Sequence, residues 1–129
     1  VLMTLALVLV LPLLPLPAAA QQDGWLSERG LYRLDYSSAE EPLPLNRIHA
    51  WTLRLWTATG EPVSTAALVV TGGMPAHNHG LPTAPVTTAL GNGEYRLEGL
   101  RFHMQGAWVL TVSIVDGEVR DTIIVPLTL

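Results

Sequence analysis

Alternation of apolar and polar residues is the clearest pattern in this chain, and it predicts β-strands. In residues 46–59 the odd positions carry large apolar or aromatic side chains, namely His49, Trp51, Leu53 and Leu55. In residues 107–115 the same alternation places on one face Trp108, Leu110, Val112 and Ile114. Side chains alternate across a strand, so both segments are predicted to be antiparallel strands with one buried face. Their inward residues are predicted to fill the space between two sheets: Trp51, Leu53, Leu55, Trp108, Leu110 and Val112.

Shorter segments complete the predicted set of strands, at residues 31–36, 66–71, 94–100 and 119–129. The Gly72-Gly73 pair is expected to end the second of these, and Asp116-Gly117 is a strong hairpin signal. Pro126 lacks a backbone N–H, which predicts that the last strand lies at a sheet edge. No segment shows a convincing amphipathic helix. The sequence therefore predicts an all-β fold, an immunoglobulin-like antiparallel β-sandwich of about seven strands.

Residues 74–92 separate two of these strands and contain Pro75, Pro82 and Pro85. A segment of roughly 19 residues without regular structure is uncommon in a small domain and is usually functional or disordered. We therefore expect a long loop at this place, and a binding site within it.

Residues 1–20 differ from the rest of the chain because they carry no charge and contain a run of Leu and Val. Ala18, Ala19 and Ala20 match the small-residue cleavage site of a secretory signal. A membrane anchor is the alternative, since about 20 apolar residues can span a bilayer, but the prolines and the alanine-rich end favour a cleaved signal. We predict a signal peptide at residues 1–20, one domain at residues 21–129, and a periplasmic or otherwise exported protein with no membrane segment after cleavage.

Charge and cysteine content exclude several functional classes. The chain has 11 acidic and 7 basic residues, a net charge of −4 and no cysteine. Nucleic-acid binding needs a basic patch, so no nucleic-acid partner is expected. The absence of cysteine excludes disulfides, zinc–thiolate sites, c-type haem attachment and the Cys-ligated blue-copper site. No nucleophile elbow or phosphate-binding glycine loop is present, so the protein is not expected to be an enzyme.

Histidine and methionine provide the candidate metal ligands. Met74, His77 and His79 lie within six positions of one another, and His103 and Met104 follow downstream. In an extended segment His77 and His79 would point the same way and could converge on one ion. His103 and Met104 could both reach such a site only if the chain is bulged there. Imidazole and thioether without thiolate suit copper, and thioether sulfur selects Cu(I).

The alternative is that these residues have ordinary structural roles. His77 and His79 would then be exposed loop histidines, while Met74 and Met104 would fill gaps in the core. His49 lies on the apolar face of its strand and is expected to be a core histidine bonded to the backbone rather than a ligand.

Three short motifs occur in order along the chain: Met74-Pro-x-His-x-His-Gly, Gly93-x-Tyr95 and Phe102-x-Met104-x-Gly106-x-Trp108. In this order they resemble the YtkA-like family of small exported domains, and more distantly FixH-like proteins. The likeness covers about residues 48–125. It implies an immunoglobulin-like β-sandwich outside the cytoplasm and a link to copper handling or to the assembly of respiratory and haem proteins.

These observations lead to one expected function and two alternatives. We expect a periplasmic domain that binds or delivers copper, with a copper-receiving or redox protein as its partner. Its ligands would be drawn from Met74, His77, His79, His103 and Met104. The first alternative is a non-metal structural or protein-interaction domain accessory to a respiratory or redox enzyme. The second is recognition of a small ligand beneath the long loop.

Overall fold

Two antiparallel β-sheets make up residues 24–129, the part of the chain that the computed structural model describes. The predicted signal peptide at residues 1–20 lies outside this part. The strands are β1 (Trp25–Leu26), β2 (Tyr32–Ser38), β3 (His49–Thr57), β4 (Ala67–Met74), β5 (His79–Gly80), β6 (Val86–Gly91), β7 (Glu94–Leu100), β8 (Ala107–Asp116) and β9 (Val119–Thr128). The strand orders are β1-β2-β3-β7-β6 in one sheet and β5-β4-β8-β9 in the other.

The prediction of an all-β antiparallel sandwich is confirmed. Within residues 24–129, β1 and β5 have two residues each, and the other seven strands have six or more. β9 contains Pro126 and is an edge strand, as predicted. The helical element of this range is a 3-10 turn at Pro75–His77. No helix in the described part of the chain is long and apolar enough to cross a membrane.

The core lies between the two sheets and contains the residues that the alternation assigns to it. The predicted inward residues are each at most 2% exposed: Trp51, Leu53, Leu55, Trp108, Leu110 and Val112. The first three belong to β3 in the five-stranded sheet, and the others belong to β8 in the four-stranded sheet. Burial of each such side chain stabilises the fold by roughly 1.5–3 kcal/mol, so these facing strands form the centre of the sandwich.

The glycine pair that is expected to end a strand lies inside one instead. β4 continues through Gly72 and Gly73 to Met74. A Cβ added at Gly72 would lie 2.5 Å from Cδ2 of Leu110, and one at Gly73 would lie 2.5 Å from the backbone oxygen of His79. The glycines therefore permit the close approach of β5 and β8 to β4.

Residues 74–92 do not form the long loop that their prolines predict. The 3-10 turn, β5 and β6 occupy most of this range. β6 is an edge strand with mostly exposed side chains, so its sequence lacks the alternation that marks a half-buried strand. The hypothesis of a small ligand beneath a long loop therefore lacks support, because residues 74–92 do not form such a loop.

The Gly93-x-Tyr95 motif has a structural role. Tyr95 is 1% exposed, and its hydroxyl donates to the carbonyl oxygen of Val63 at 2.8 Å and accepts from the N–H of Ala66 at 3.2 Å. Gly93 has a φ of 76°, and a Cβ there would lie 2.7 Å from the carbonyl oxygen of Leu55. The motif thus fixes the connection between β3 and β4 against β7.

A buried carboxylate joins the beginning of the described chain to β9. Asp121 is 6% exposed, and its Oδ1 accepts hydrogen bonds from the backbone N–H groups of Arg29 (3.0 Å) and Thr122 (2.8 Å). Burial raises the pKa of Asp121, but the hydrogen bonds from Ser27 and from these N–H groups outweigh it, so the pKa is held below its usual value. A carboxylate of this kind stabilises the fold while it is ionised.

We predict that this stabilisation disappears in acid. It is fully present above the unfolded-state pKa of about 3.9 and is lost as the pH falls through the lower folded-state pKa. Asp121→Asn should therefore lower the denaturation midpoint at neutral pH, and the difference from the parent should shrink below about pH 4. Denaturant titrations over a pH series measure this, with Asp35→Asn at the ion pair with Arg54 as the control. A difference that is the same at every pH would contradict the prediction.

Candidate metal-binding site

Three of the four histidines meet where β5 joins the four-stranded sheet. His77 ends the 3-10 turn, His79 begins β5, and His103 lies in the connection between β7 and β8. The ring centroids of His77 and His79 are 5.8 Å apart, and those of His79 and His103 are 4.8 Å apart. The structure therefore brings three of the five predicted ligands together as a row of imidazoles with His79 in the middle.

Pro75 and Asn78 determine the path of the chain through the first two histidines. Pro75 begins the 3-10 turn, where its fixed φ is favourable. Asn78 follows in the left-handed region with a φ of 52°, and it reverses the chain into β5, where His79 pairs with Met74. The chain therefore turns between His77 and His79 and is not extended there. The tight turn nevertheless brings their rings side by side, with 19° between the planes.

Two imidazole nitrogens in this row are buried and have no hydrogen-bond partner in the described part of the chain. They are Nε2 of His79 and Nδ1 of His103. Nδ1 of His79 lies 3.4 Å from the backbone oxygen of Gly80, so a proton on Nδ1 leaves a free lone pair on Nε2. Buried polar atoms are nearly always hydrogen-bonded in folded proteins. A ligand that accepts these two lone pairs would therefore remove an unfavourable feature of the fold.

Trp108 forms the inner wall of this row, a role that the sequence did not indicate. Its ring is fully buried, and its centroid lies 5.9 Å from that of His79 and 5.5 Å from that of His103. Its Nε1 donates a 2.9 Å hydrogen bond to the carbonyl oxygen of Met104. This bond ties the segment that carries His103 to β8. The inward alternation of β8 accounts for Trp108 as a core residue, so its contact with the histidines was not predicted.

The two methionines have different positions. Met74 is 1% exposed and pairs with His79 across β4 and β5. A Cβ added at Gly106 would lie 2.8 Å from Cε of Met74, so the thioether side chain packs under the segment after His103. Met104 is 37% exposed. Residues 103–106 are not part of a strand, so the strand alternation that would place His103 and Met104 on opposite faces does not apply here.

His49 is a core histidine, as predicted. It is 8% exposed, and its Nδ1 lies 3.1 Å from the backbone oxygen of Arg47. Its ring packs against Phe102 and Trp51 at centroid distances of 5.6 and 6.2 Å. It is separate from the row of three imidazoles.

The donor atoms at the site fit a soft ion that accepts few ligands. Within residues 24–129, no three His, Asp or Glu side chains are arranged to hold a metal ion. The available set is two imidazole nitrogens, with the buried Met74 on the strand beside His79. Structural zinc takes four ligands, while calcium and magnesium take oxygen ligands. Thioether sulfur selects Cu(I), so this set fits copper better than the other common ions.

Comparison with known proteins gives one match. The sequence model of the YtkA-like family matches residues 32–113. This range includes β2 to β7, most of β8 and all three histidines of the row. No curated protein and no solved structure matches the chain significantly.

Proposed function

The chain belongs to the YtkA-like family, and we propose that it is a copper-binding domain whose site is built from His79, His103 and Met74. The observation that supports this most is a pair of buried nitrogens, Nε2 of His79 and Nδ1 of His103, for which the described residues provide no hydrogen-bond partner. Their ring centroids are 4.8 Å apart, and each nitrogen has a lone pair for a metal ion when the imidazole is neutral and its proton is on the other nitrogen.

Copper suits this site for a chemical reason. Imidazole binds both copper oxidation states, whereas thioether sulfur favours Cu(I). The chain has no cysteine that an oxidising compartment could convert to a disulfide. A site of imidazole and thioether can therefore hold the reduced ion in such a compartment.

His77 provides the outer position of the proposed site. It is exposed, and its ring stacks on that of His79 at 5.8 Å. An ion that arrives from solvent would meet His77 before it reaches the buried nitrogens. His77 therefore serves entry and release, and it contributes less to affinity than the two inner histidines.

Delivery of the ion to another protein is the role that we propose for this binding. A site at the surface end of a rigid sandwich, with one exposed imidazole, suits transfer to a copper-receiving or redox protein. The apolar residues 1–20 support a location outside the cytoplasm. We propose binding and transfer of the ion rather than catalysis.

The experiment that tests this proposal is a competition titration of the protein with Cu(I) and Cu(II) against chromophoric chelators. We expect one equivalent of Cu(I) to be retained against a weak chelator. Binding should weaken in acid, because protons compete with the ion for the imidazole nitrogens. A protein that cannot compete with a weak chelator would overturn the proposal.

Met74→Leu should separate the two oxidation states. Leucine has a similar volume and keeps the packing against Gly106, but it removes the thioether. We expect Cu(I) affinity to fall by about tenfold or more, about 1.4 kcal/mol, while Cu(II) affinity changes little. The same titration measures both values, and Met104→Leu at the exposed methionine is the matched control. Equal losses for the two ions would mean that Met74 is only a packing residue.

A second candidate function, protein interaction without metal, is favoured by the outer face of the four-stranded sheet. Three adjacent rows of this face carry no charge: Gly73, Val109 and Pro126; Thr71, Thr111 and Ile124; Val69, Ser113 and Thr122. Val69 is 59% exposed and Ile124 is 38% exposed. A groove of about 440 Å³ on this face extends to His79. This function would be the better account if the protein does not retain copper.

A further inference from the structure

A continuous series of aromatic rings leads away from the histidine row through the interior of the sandwich. Next to His103, the ring of Trp108 lies 5.3 Å from that of Phe102. Phe102 in turn lies 6.0 Å from Trp51 on β3 of the opposite sheet. These three residues are at most 2% exposed, so this part of the series is shielded from solvent.

The series continues from Trp51 to the surface by two parallel stacks. The rings of Trp51 and Tyr36 are 3.9 Å apart with 11° between their planes, and those of Tyr36 and Trp25 are 5.8 Å apart with 7°. Tyr36 and Trp25 are partly exposed and line a cleft of about 520 Å³ together with Glu41. The ring series therefore joins the histidine row to an open cleft that residues of both sheets line.

We propose that this series carries oxidising equivalents from the histidine row to the cleft, where they end on Tyr36 and Trp25 instead of on the metal ligands. Tryptophan and tyrosine are the side chains that lose one electron most readily without a metal. Three of the four tryptophans lie in the series. Phe102 is too difficult to oxidise to hold the charge itself, so it acts as the packed bridge between Trp108 and Trp51.

The oxidant that we name is hydrogen peroxide, and this step rests on the proposed copper site. If copper is bound at His79 and His103, reduction of hydrogen peroxide by Cu(I) would break the O–O bond and give hydroxide, hydroxyl radical and Cu(II). Trp108 gives one electron to the hydroxyl radical, which becomes hydroxide. Trp51 then reduces the oxidised Trp108 by one electron, and Tyr36 in turn reduces the oxidised Trp51.

Tyr36 and the Trp25 ring stacked on it end the sequence, and Tyr36 can hold the oxidation because it can release a proton. Burial raises the pKa of Tyr36 and the charge of Glu41 adds to the effect, so the neutral phenol keeps its proton. Loss of an electron makes the phenol a strong acid. Its proton then passes to Glu41 or to water in the cleft, and the product is a neutral tyrosyl radical that a reductant outside the protein can quench.

The test uses a photo-oxidant instead of copper, so that its outcome does not depend on metal binding. The chain has no cysteine, so Ala76→Cys, at an exposed position beside the histidine row, allows one ruthenium complex to be attached. Flash oxidation of the complex should produce tyrosyl or tryptophanyl radical absorption. Peptide mass spectrometry should then find oxidation at Tyr36 and Trp25. Trp56, on the other face of β3, should stay unmodified.

Two variants test whether electrons pass along the aromatic rings. Tyr36→Phe keeps the stack but removes the final electron donor, and Trp51→Phe keeps a ring in the core but removes the intermediate donor. Both variants are first confirmed to be folded by circular dichroism. Tyr36→Phe should lose the tyrosyl radical absorption, and Trp51→Phe should lose oxidation at Tyr36 and Trp25 and gain it at Trp108. Oxidation of Trp25 that is unchanged in Trp51→Phe, or oxidation of the parent that stops at Trp108, would show that the rings serve only packing.

A second arm with copper and hydrogen peroxide separates this inference from the proposed function. If the ruthenium experiment succeeds but the protein does not retain copper in the competition titration, the path exists and the copper site is wrong. If the protein binds copper but the ruthenium experiment modifies only Trp108, the copper site stands and the path is overturned.

Discussion

Trp108→Ala is expected to destabilise the protein by about 3–5 kcal/mol, the usual cost of removing a large aromatic side chain from a core. Trp108 is fully buried on β8, and its ring packs against Phe102 at 5.3 Å and against both inner histidines. Small domains have a net stability of about 5–15 kcal/mol, so the variant should lose a large share of its stability and should be unfolded if the parent lies near the lower end of this range. Chemical denaturation followed by tryptophan fluorescence and circular dichroism measures the loss.

Trp108→Phe is the matched variant for this prediction. It keeps most of the ring volume but removes the Nε1 hydrogen bond to the carbonyl oxygen of Met104. We expect a smaller loss of stability, together with weaker copper binding, because the segment that holds His103 is no longer tied to β8. A Trp108→Ala protein with the midpoint of the parent would refute the assignment of this residue to the core and to the site wall.

The core could be predicted from the sequence because apolar and polar residues alternate along a half-buried strand, and this alternation shows which side chains face inward. β3 and β8 each have one face in the core and one outside, so Trp51 and Trp108 could be assigned to the interior without knowledge of the pairing. β6 could not be found in this way, because as an edge strand with mostly exposed side chains it lacks an inward face.

The histidine site was predictable only in part. The spacing of His77 and His79 indicated that their rings could be neighbours, and they are. That His79 faces His103 depends on the meeting of β5 with the connection before β8, and no local pattern encodes such a contact. The burial of one nitrogen on each ring depends on Trp108 behind them. Local sequence therefore indicated the candidate residues, and the packing of the sheets selected the pair.

Gly117 was informative, since β8 and β9 form the hairpin that it indicated, but other glycines were not. Gly72 and Gly73 resemble a strand end, yet they lie within β4 because neighbouring groups approach too closely for a Cβ. Gly106 has a φ of 129° and leaves room for the end of Met74. Whether a glycine permits a turn or a close contact depends on residues distant in sequence, so the two roles could not be separated before the fold was known.

Combined replacement of His79 and His103 by alanine should abolish copper binding. The two rings supply the buried nitrogens that have no hydrogen-bond partner within residues 24–129, and each alanine would remove one metal–nitrogen bond of the proposed site. We expect affinity for Cu(I) to fall by at least about 100-fold, equivalent to about 2.8 kcal/mol of binding free energy. Competition titration against a chromophoric chelator measures this loss, and His77→Ala at the exposed outer position should reduce affinity less.

His49→Ala is the control for this experiment, because it removes a buried imidazole that lies outside the row. Its Nδ1 is bonded to the backbone and its ring packs on Phe102, so the variant should lower the denaturation midpoint while it keeps the affinity of the parent for copper. The copper affinities of the two variants are compared at temperatures at which both have the same free energy of unfolding. If the double variant binds copper as tightly as the parent, the ion does not bind at His79 and His103, and the charge-free face of the four-stranded sheet becomes the leading candidate for function.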